Sequence, residues 1–550
     1  MKLNRIERLK EECKPYDFRE RLFSLDLTEI TDEERFYLKN YGIYNIKMMP
    51  EKFMLRIRVS GGRITQKSLE TIVRIAKEHH LQLLLTARAQ IELHGLTASN
   101  ILQVWQRLRE EKITTLQTLT DNFRNIVTDP YDGFSTANRV EVYPLIRKMQ
   151  KIFIDKAEWM GMLPRKFNVA ICGTARTHTH FFGNDLYFAL AQKEKEWGFN
   201  LYLGGKNSEA AQPADIFVLP QEVPAMFEAV AKAYVTYGLR ESRARTRLFH
   251  LISETGMEDF VEKIRSFYHG TLREGGLLSM EKGVFNLFEP LKDGTLGYCL
   301  QTEFGKVELP KLQEVLKYAR INGLQIRLGV DQNFYLLGLK TDTLPFQTTK
   351  GAAHITACAG SHYCALSLWD IKSETSFLPL EKIEKHQLQV GFSGCLKGCG
   401  RHHHADIGLV GLRTNLFGKT QKAARVFLGA EYSRGKSVAR LIFPSVPLQH
   451  LSQLLEVIVE AYEESDKEDF EAFCEVYLNP YSTFFVMLWF LSRLYLQDPP
   501  SLERVSEKAL YKKLQSCNGF PCFENNENYL KSIKVMMHAL WDDTKAIHIS

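Results

Sequence analysis

The chain has 550 residues, 45% of them apolar and 25% charged, and a formal net charge of +6. Such a length outgrows one hydrophobic core, so roughly two to four domains are expected, and the composition is that of an ordinary soluble globular protein rather than a disordered one. The modest positive charge leaves room for an acidic partner but gives no ground for nucleic-acid or membrane binding.

Residues 1–52 are rich in charge and carry helical signals, and the opening MKLNRIERLKEECKPYDF lacks the apolar core of a secretory signal. KFMLRIRV then alternates as a strand, Gly61 and Gly62 turn it, and TQKSLETIVRIAKEH spaces its apolar residues as a helix. LQLLLT and IELHGL follow as strands around ARAQ. The same order of strand, helix, strand, strand returns as GTLGYCLQ, VELPKLQEVLKYARING, LQIRLGV and FYLLGL. Leu81-Gln82 stands at the same distance from Gly95 as Leu324-Gln325 does from Gly338, which marks a duplication. A second repeated piece joins 198–224 to 424–447: each has a short strand and glycine, a polar loop, another apolar strand and then prolines. Internal repeats of this kind favour a ligand held between the halves. Residues 456–550 have helical apolar spacing. In them FFVMLWFL at 484–491 is too short to span a bilayer and reads as a buried helix. Cys517 and Cys522, in SCNGFPC, form an isolated pair with no second pair to complete a metal site.

The chemistry concentrates between Thr356 and Gly411, in TACAGSHYC and, thirty residues on, GCLKGCGRHHHADIGLVG. Cys358, Cys364, Cys395 and Cys399 are four of the ten cysteines and form a C-x5-C and a C-x3-C pair. Soft thiolates select iron-sulfur, zinc or copper centres. Zinc sites more often use narrow spacing in both pairs, so the wider first pair favours a cluster, with zinc and unconnected core cysteines as the alternatives. Gly360, Gly394, Gly398 and Gly400 lie beside the thiols, where backbone can approach inorganic sulfide closely. Ten dispersed cysteines are no disulfide scaffold, and free thiolates suit a reducing cytoplasm, where the protein is expected. His402, His403 and His404 are not expected to bind metal, because consecutive side chains diverge on any regular element.

This stretch resembles the cluster signature of the siroheme-dependent nitrite and sulfite reductases. In that signature a Cys-Thr-Gly-x-x-Phe/Tyr-Cys segment and a later lysine precede Gly-Cys-Pro-Asn-x-Cys-Gly and Ala-Asp-Ile-Gly. The matching residues are Cys358, Gly360, Tyr363, Cys364 and Lys372, then Gly394, Cys395, Cys399, Gly400 and Ala405 to Gly408. Ala359, Asp370 and Leu396-Lys397 depart from the pattern without removing a ligand. The resemblance, which covers about 45 to 450, implies that the four cysteines hold a [4Fe-4S] cluster and that Cys399 also bridges to siroheme iron. It implies an α+β fold of duplicated siroheme-reductase architecture, with paired ferredoxin-like half-domains and two α/β cofactor-binding units. The expected domains are an N-terminal segment 1–52, half-domains at 53–125 and 286–345, α/β units at 126–285 and 346–455, and a helical C-terminal extension 456–550.

Siroheme carries eight carboxylates and its substrates are anions, so cations must converge on the pocket to offset buried charge. Taken alone, Arg56 alternates with Arg58 on a half-exposed strand and Arg124 is a solvated loop arginine. The resemblance instead makes Arg56, Arg124 and Lys166 distal-face cations and Asn168 the residue that distinguishes nitrite from sulfite enzymes, which place a second lysine there. It further marks Arg88, His94, Asn184, Gln332 and Asn333 as siroheme contacts. Around them Ala89-Gln90 stands for Gln-Asn, Glu92 for glutamine, and Phe182 for a histidine before Asn184-Asp185. The implied function is six-electron reduction of nitrite to ammonia, with assimilatory sulfite reduction to sulfide as the alternative and a non-catalytic cluster protein as a third reading. Retained distal cations speak against the third. GTART and GGKNS lack the spaced glycines of a nucleotide-binding turn, so electrons are expected from reduced ferredoxin or a similar small acidic carrier. No nucleic acid or membrane span enters, and a monomer is expected.

Overall fold

The computed structural model describes residues 3–346, 353–415 and 420–495. The chain divides into two compact units, Met1–Ala353 with Ser433–Gly435, and His354–Tyr432 with Lys436–Ser550. Cys517 and Cys522, and most of the expected C-terminal extension, lie outside the described residues.

The first unit opens on helix Arg5–Glu12, where the Asn4 side chain accepts from the free N–H groups of Ile6 and Glu7. Helix Asp32–Leu38 follows, closed by a reciprocal capping box between Thr31 and Glu34. Two five-stranded antiparallel sheets come next. One runs, in spatial order, Ile43–Ile46, Met49–Ile57, Ile91–Leu96, Gln82–Leu85 and Lys306–Val307; the other runs Phe288–Pro290, Leu296–Leu300, Phe334–Leu339, Gln325–Leu328 and Arg63–Ile64. The first sheet therefore starts ahead of the expected boundary at 53. Pro50, Glu51 and Lys52 hid its first turns, because the outer end of the Met49–Ile57 strand is solvent-exposed and shows no apolar alternation.

Each sheet takes its last strand from the other copy of the repeat. Lys306 and Val307 pair with Leu84 and Leu83, and Arg63 and Ile64 pair with Arg327 and Ile326. Both exchanged strands leave a turn of two positive-φ residues, Gly61-Gly62 in one copy and Phe304-Gly305 in the other. The repeat extends to helices Gln66–Glu78 and Leu309–Ile321. These bury Leu69, Ile72, Val73 and Ala76, and Leu312, Val315, Leu316 and Ala319, in one shared core. Both sets follow i, i+3, i+4, i+7 spacing, and each buried Leu, Ile or Val contributes about 1.5 to 3 kcal/mol, so packing rather than propensity holds the helices.

A third sheet in this unit runs Phe123–Val127, Phe167–Cys172, Leu186–Lys193, Glu196–Leu203 and Gln212–Val218. Its first two pairings are parallel and the next two antiparallel. Helix Tyr143–Phe153 makes the crossover, and Phe167–Cys172 is buried at every position, as a parallel strand covered on both faces must be. The second unit repeats this order with Ile355–Ala357, Val390–Ser393, Ile407–Thr414, Gln421–Leu428 and Arg440–Pro447, again parallel twice and then antiparallel twice. Both sheets lead into a long helix, Val223–Tyr237 in one and Leu448–Glu463 in the other. The apolar stretch near 484–491 forms helix Thr483–Tyr495, with Phe485, Val486, Met487 and Phe490 buried. Among the described residues no helix is long and apolar enough to cross a membrane.

Candidate functional site

In the second unit the four candidate thiols leave the carboxyl ends of two adjacent parallel strands, the edge where open α/β sheets bind ligands. Cys358 and Cys364 follow Ile355–Ala357, and Cys395 and Cys399 follow Val390–Ser393. The loops are tied to the sheet by backbone. Cys358 N–H donates to Phe392 O at 2.9 Å, Cys364 N–H to Gly360 O at 2.9 Å, and Leu368 N–H to Gly394 O at 3.1 Å. Gly394 also donates its N–H to Cys358 Sγ at 3.2 Å. A Cβ at Gly394 would stand 1.8 Å from Ser367 Oγ, so only glycine lets the two cysteine loops approach.

Electrostatics couple the thiols. Burial pushes Cys358 up to about 12, with Cys399 adding to the rise, and burial with Cys399 also raises Cys364 and Cys395. Thiols so placed ionise only against positive charge, which a metal cluster supplies. Among the described residues no three His, Cys, Asp or Glu side chains converge as ligands of one metal ion. Four thiolates are the donor set that a [4Fe-4S] cluster takes, one at each iron corner. His402 stands three residues after Cys399. His402 is fully buried, shares Ser393 Oγ at 3.0 Å with the N–H of Gly400 at 3.0 Å, and is held down to about 2 by burial and by His403 and His404. As a neutral imidazole it braces the loop that carries Cys399.

The candidate anion residues sit in the first unit. Strand register places Arg56 directly opposite Glu92, and the guanidinium pairs with that carboxylate, whose other oxygen lies 2.9 Å from His94 Nε2. Burial alone would raise Glu92, but Arg56 and His94 outweigh it and the carboxyl falls to about 2. Arg124 lies on strand Phe123–Val127, not in a loop, and donates to Thr118 O. Its guanidinium is held well below its ordinary value, first by burial and then by the positive charges of Arg56, Arg88 and Arg165. Lys166 and Asn168 stand at the start of the neighbouring parallel strand, where Phe123 pairs with Phe167. Asn168 N–H donates to Asp185 Oδ2 at 2.8 Å, while its side-chain Oδ1 is buried without a partner. Arg88 reaches Asn184 Oδ1 at 3.5 Å, which joins two of the expected cofactor residues. Gln90, fully buried, has neither amide atom paired. Unpaired buried amides beside crowded cations fit a polyanionic group such as siroheme.

Gln332 and Asn333 hydrogen-bond within the first unit. Gln332 donates to Leu85 O of the first repeat at 2.7 Å, and Asn333 accepts from Thr302 N–H at 3.0 Å and donates to Asp331 at 3.0 Å. Both amides thus fix backbone turns, and Gln332 holds φ +67 where the first repeat has Ala89 at φ +50.

Several residues that frame the site were not visible in the sequence. Arg58, two residues beyond Arg56 and just past the end of its strand, is buried and donates to the carbonyls of Leu116, Gln117, Phe123 and Arg124, so it fixes the segment leading to Arg124. Asp121 accepts both arms of Arg243 at 2.7 and 2.8 Å, lies 3.0 Å from Lys10 Nζ and 3.7 Å from Arg165, and so anchors the segments of Arg124 and Lys166 together. Asp185 does the same for Asn168 through Arg247 at 2.7 and 2.8 Å. The Asn184-Asp185 dipeptide was the one sequence signal that touched this scaffold.

Residues 46–111 match the model of the nitrite/sulfite reductase ferredoxin-like half domain, and residues 119–270 that of the nitrite and sulphite reductase 4Fe-4S domain. Over these two segments the chain is similar to the nitrite and sulphite reductases. Over 497 residues it is 27% identical to a ferredoxin–nitrite reductase of Synechococcus elongatus, a match covering 84% of this chain and 97% of the relative. Over 491 residues it is 25% identical to a ferredoxin–nitrite reductase of Leptolyngbya laminosa, covering 82% and 96%. The solved structure of the Mycobacterium tuberculosis NirA protein shares the fold, with a TM-score of 0.79 at 23% identity over 88% of this chain and 97% of that one.

Proposed function

We infer that the protein is a siroheme- and [4Fe-4S]-dependent nitrite reductase that receives electrons from a ferredoxin-like carrier and forms ammonia. The observation that carries this reading is the gathering of basic side chains in the first unit, where half-buried Arg124, on the strand that pairs with the one Lys166 leads into, feels the positive charges of Arg56, Arg88 and Arg165 with Asp121 as a partial offset. The named activity of the cyanobacterial relatives, matched over nearly their whole length, supports nitrite as the substrate.

When bound, siroheme and cluster would supply single electrons to the substrate. Cys358, Cys364, Cys395 and Cys399 would hold the cluster. Arg88, His94 and Asn184 would line the siroheme, with Gln332 and Asn333 acting through the turns they fix. Arg56, Arg124 and Lys166 would bind the nitrite oxygens, stabilise negative charge that grows there, and pass protons through water. Asn168, its backbone held by Asp185 and its Oδ1 unpaired, would orient the anion as a neutral amide where a second ammonium would favour a more highly charged one.

The test is kcat/KM for nitrite and sulfite, side by side with a reduced artificial donor, in the parent, Asn168→Lys and Lys166→Ala proteins, each normalised to siroheme and cluster content. Nitrite should be the better substrate of the parent. Asn168→Lys should shift the ratio toward sulfite by roughly tenfold, as one added charged hydrogen bond would, and Lys166→Ala should impair both. A parent that reduces sulfite more efficiently would overturn the choice of substrate, and a purified protein with no siroheme absorption would overturn the enzyme class.

A further inference from the structure

Glu92 is an unusual occupant of an anion site. It is a carboxylate, 6% exposed, paired with Arg56, one of the cations expected to attract negative charge. Its position is fixed by strand register, because Arg56 and Glu92 are direct cross-strand partners and His94 lies two residues on, on the same face. The opposite face of these strands, Leu55, Ile57, Ile91 and Leu93, is sealed in the core, so the pair cannot swing away. One carboxylate oxygen takes Arg56 and the other takes His94. Arg56 keeps a buried Nε without a partner, so its guanidinium is engaged on one edge only and keeps a donor for something else.

Resting on the functional reading above, we propose that Glu92 is a specificity-determining counter-ion, a positioning residue that acts through Arg56. By pairing with that guanidinium it removes one unit of positive charge from the site and fixes which edge of Arg56 faces the anion. Arg124 and Lys166 remain to supply the attraction. A monoanion is satisfied by this smaller excess of charge, whereas a dianion, which feels the Glu92 charge twice over, is rejected. The discrimination arises from charge rather than from shape. It is independent of Asn168, which acts from a different strand.

The experiment is calorimetric titration of the cofactor-loaded protein with nitrite and with sulfite, without reductant, at mildly alkaline pH where sulfite is a dianion. It compares the parent, Glu92→Gln, Glu92→Asp and the double variant Arg56→Gln/Glu92→Gln. Loss of the carboxylate charge in Glu92→Gln should strengthen sulfite relative to nitrite by about tenfold, the size of one unit charge acting across a few ångströms at a half-buried site. Glu92→Asp keeps the charge and should keep the parental ratio. The double variant removes both charges and should also stay near it while binding both anions more weakly. An unchanged ratio in Glu92→Gln overturns the proposal, as does an equal shift in Glu92→Asp, which would make the effect one of packing. If Glu92→Gln does not fold, the double variant decides, since a tenfold shift there would show that the charge balance is not what selects. A parent that binds neither anion overturns the functional reading itself and the counter-ion role with it, whereas a parent that binds nitrite with an insensitive ratio overturns only the latter.

Discussion

Asp121 shows how much of the site is held by residues that touch no substrate. It is fully buried, and although burial would raise its carboxyl, Lys10 and then Arg243 hold it down at about 2. A carboxyl depressed from its ordinary 3.8 contributes stability that is complete above that value and is lost as pH falls through the folded-state value. Asp121→Asn leaves Lys10, Arg243 and Arg165 without their common partner and should cost about 3 kcal/mol or more at neutral pH, with a gap to the parent that narrows as pH falls from about 4 toward 2. Denaturant titrations at those pH values check both parts, and a gap that stays constant with pH would show that Asp121 is not the titrating partner. The thiols are the second case at this scale. Cys358→Ala and Cys399→Ala should each sharply lower bound iron and acid-labile sulfide, whereas Cys13→Ala, a half-buried thiol remote in the chain, should not. Full and equal loading of all three proteins would remove the cluster assignment.

At the scale of elements, the exchanged strands Arg63–Ile64 and Lys306–Val307 bind the two repeats into one body. Two residues of pairing are little by themselves, so the turn that delivers each strand must be geometrically sure. Gly62 sits at φ +67, and a Cβ there would lie 2.1 Å from Leu328 O, the last residue of the strand that receives Arg63–Ile64. Gly323 has a similar φ of +63 with nothing within 4 Å of the same imagined atom. Both substitutions to alanine meet the positive-φ backbone penalty of about 1 to 2 kcal/mol, but only Gly62→Ala adds a collision with backbone that cannot retreat. Gly62→Ala should therefore destabilise the protein by at least about 1 kcal/mol more than Gly323→Ala in chemical denaturation. Equal costs would mean that the receiving strand yields and the exchange is loosely held. The recurrence of the repeat was readable because Gly95 and Gly338 each sit at a bulge in the last strand of their copy, at φ +95 and +98. The exchange was not, because nothing in a two-residue strand records which sheet it will join.

For the molecule as a whole, the net charge of +6 agrees with an acidic electron donor, and beside the thiols Lys397 and Arg413 are exposed. The second-order rate of reduction by a ferredoxin should fall as salt rises toward physiological strength, and Lys397→Glu should lower the rate at low salt and flatten that slope. A flat profile in the parent would reject electrostatic docking and leave the enzymatic reading standing. The sequence by itself determined the thiol pairs with their glycines and the duplicated order of strands and helices, while the proposed anion role of Arg56, Arg124, Lys166 and Asn168 rested on the family resemblance. The first two are local facts, fixed by spacing along the chain and by the few residues able to make a tight turn. Only the tertiary structure decided that Arg56 faces Glu92, that Asp121 gathers cations from three distant segments, that Gln332 and Asn333 engage backbone, and that each repeat completes the other's sheet. Those outcomes depend on cross-strand register and on contacts between residues far apart in sequence, and periodicity says which face of an element is buried but not what stands opposite it.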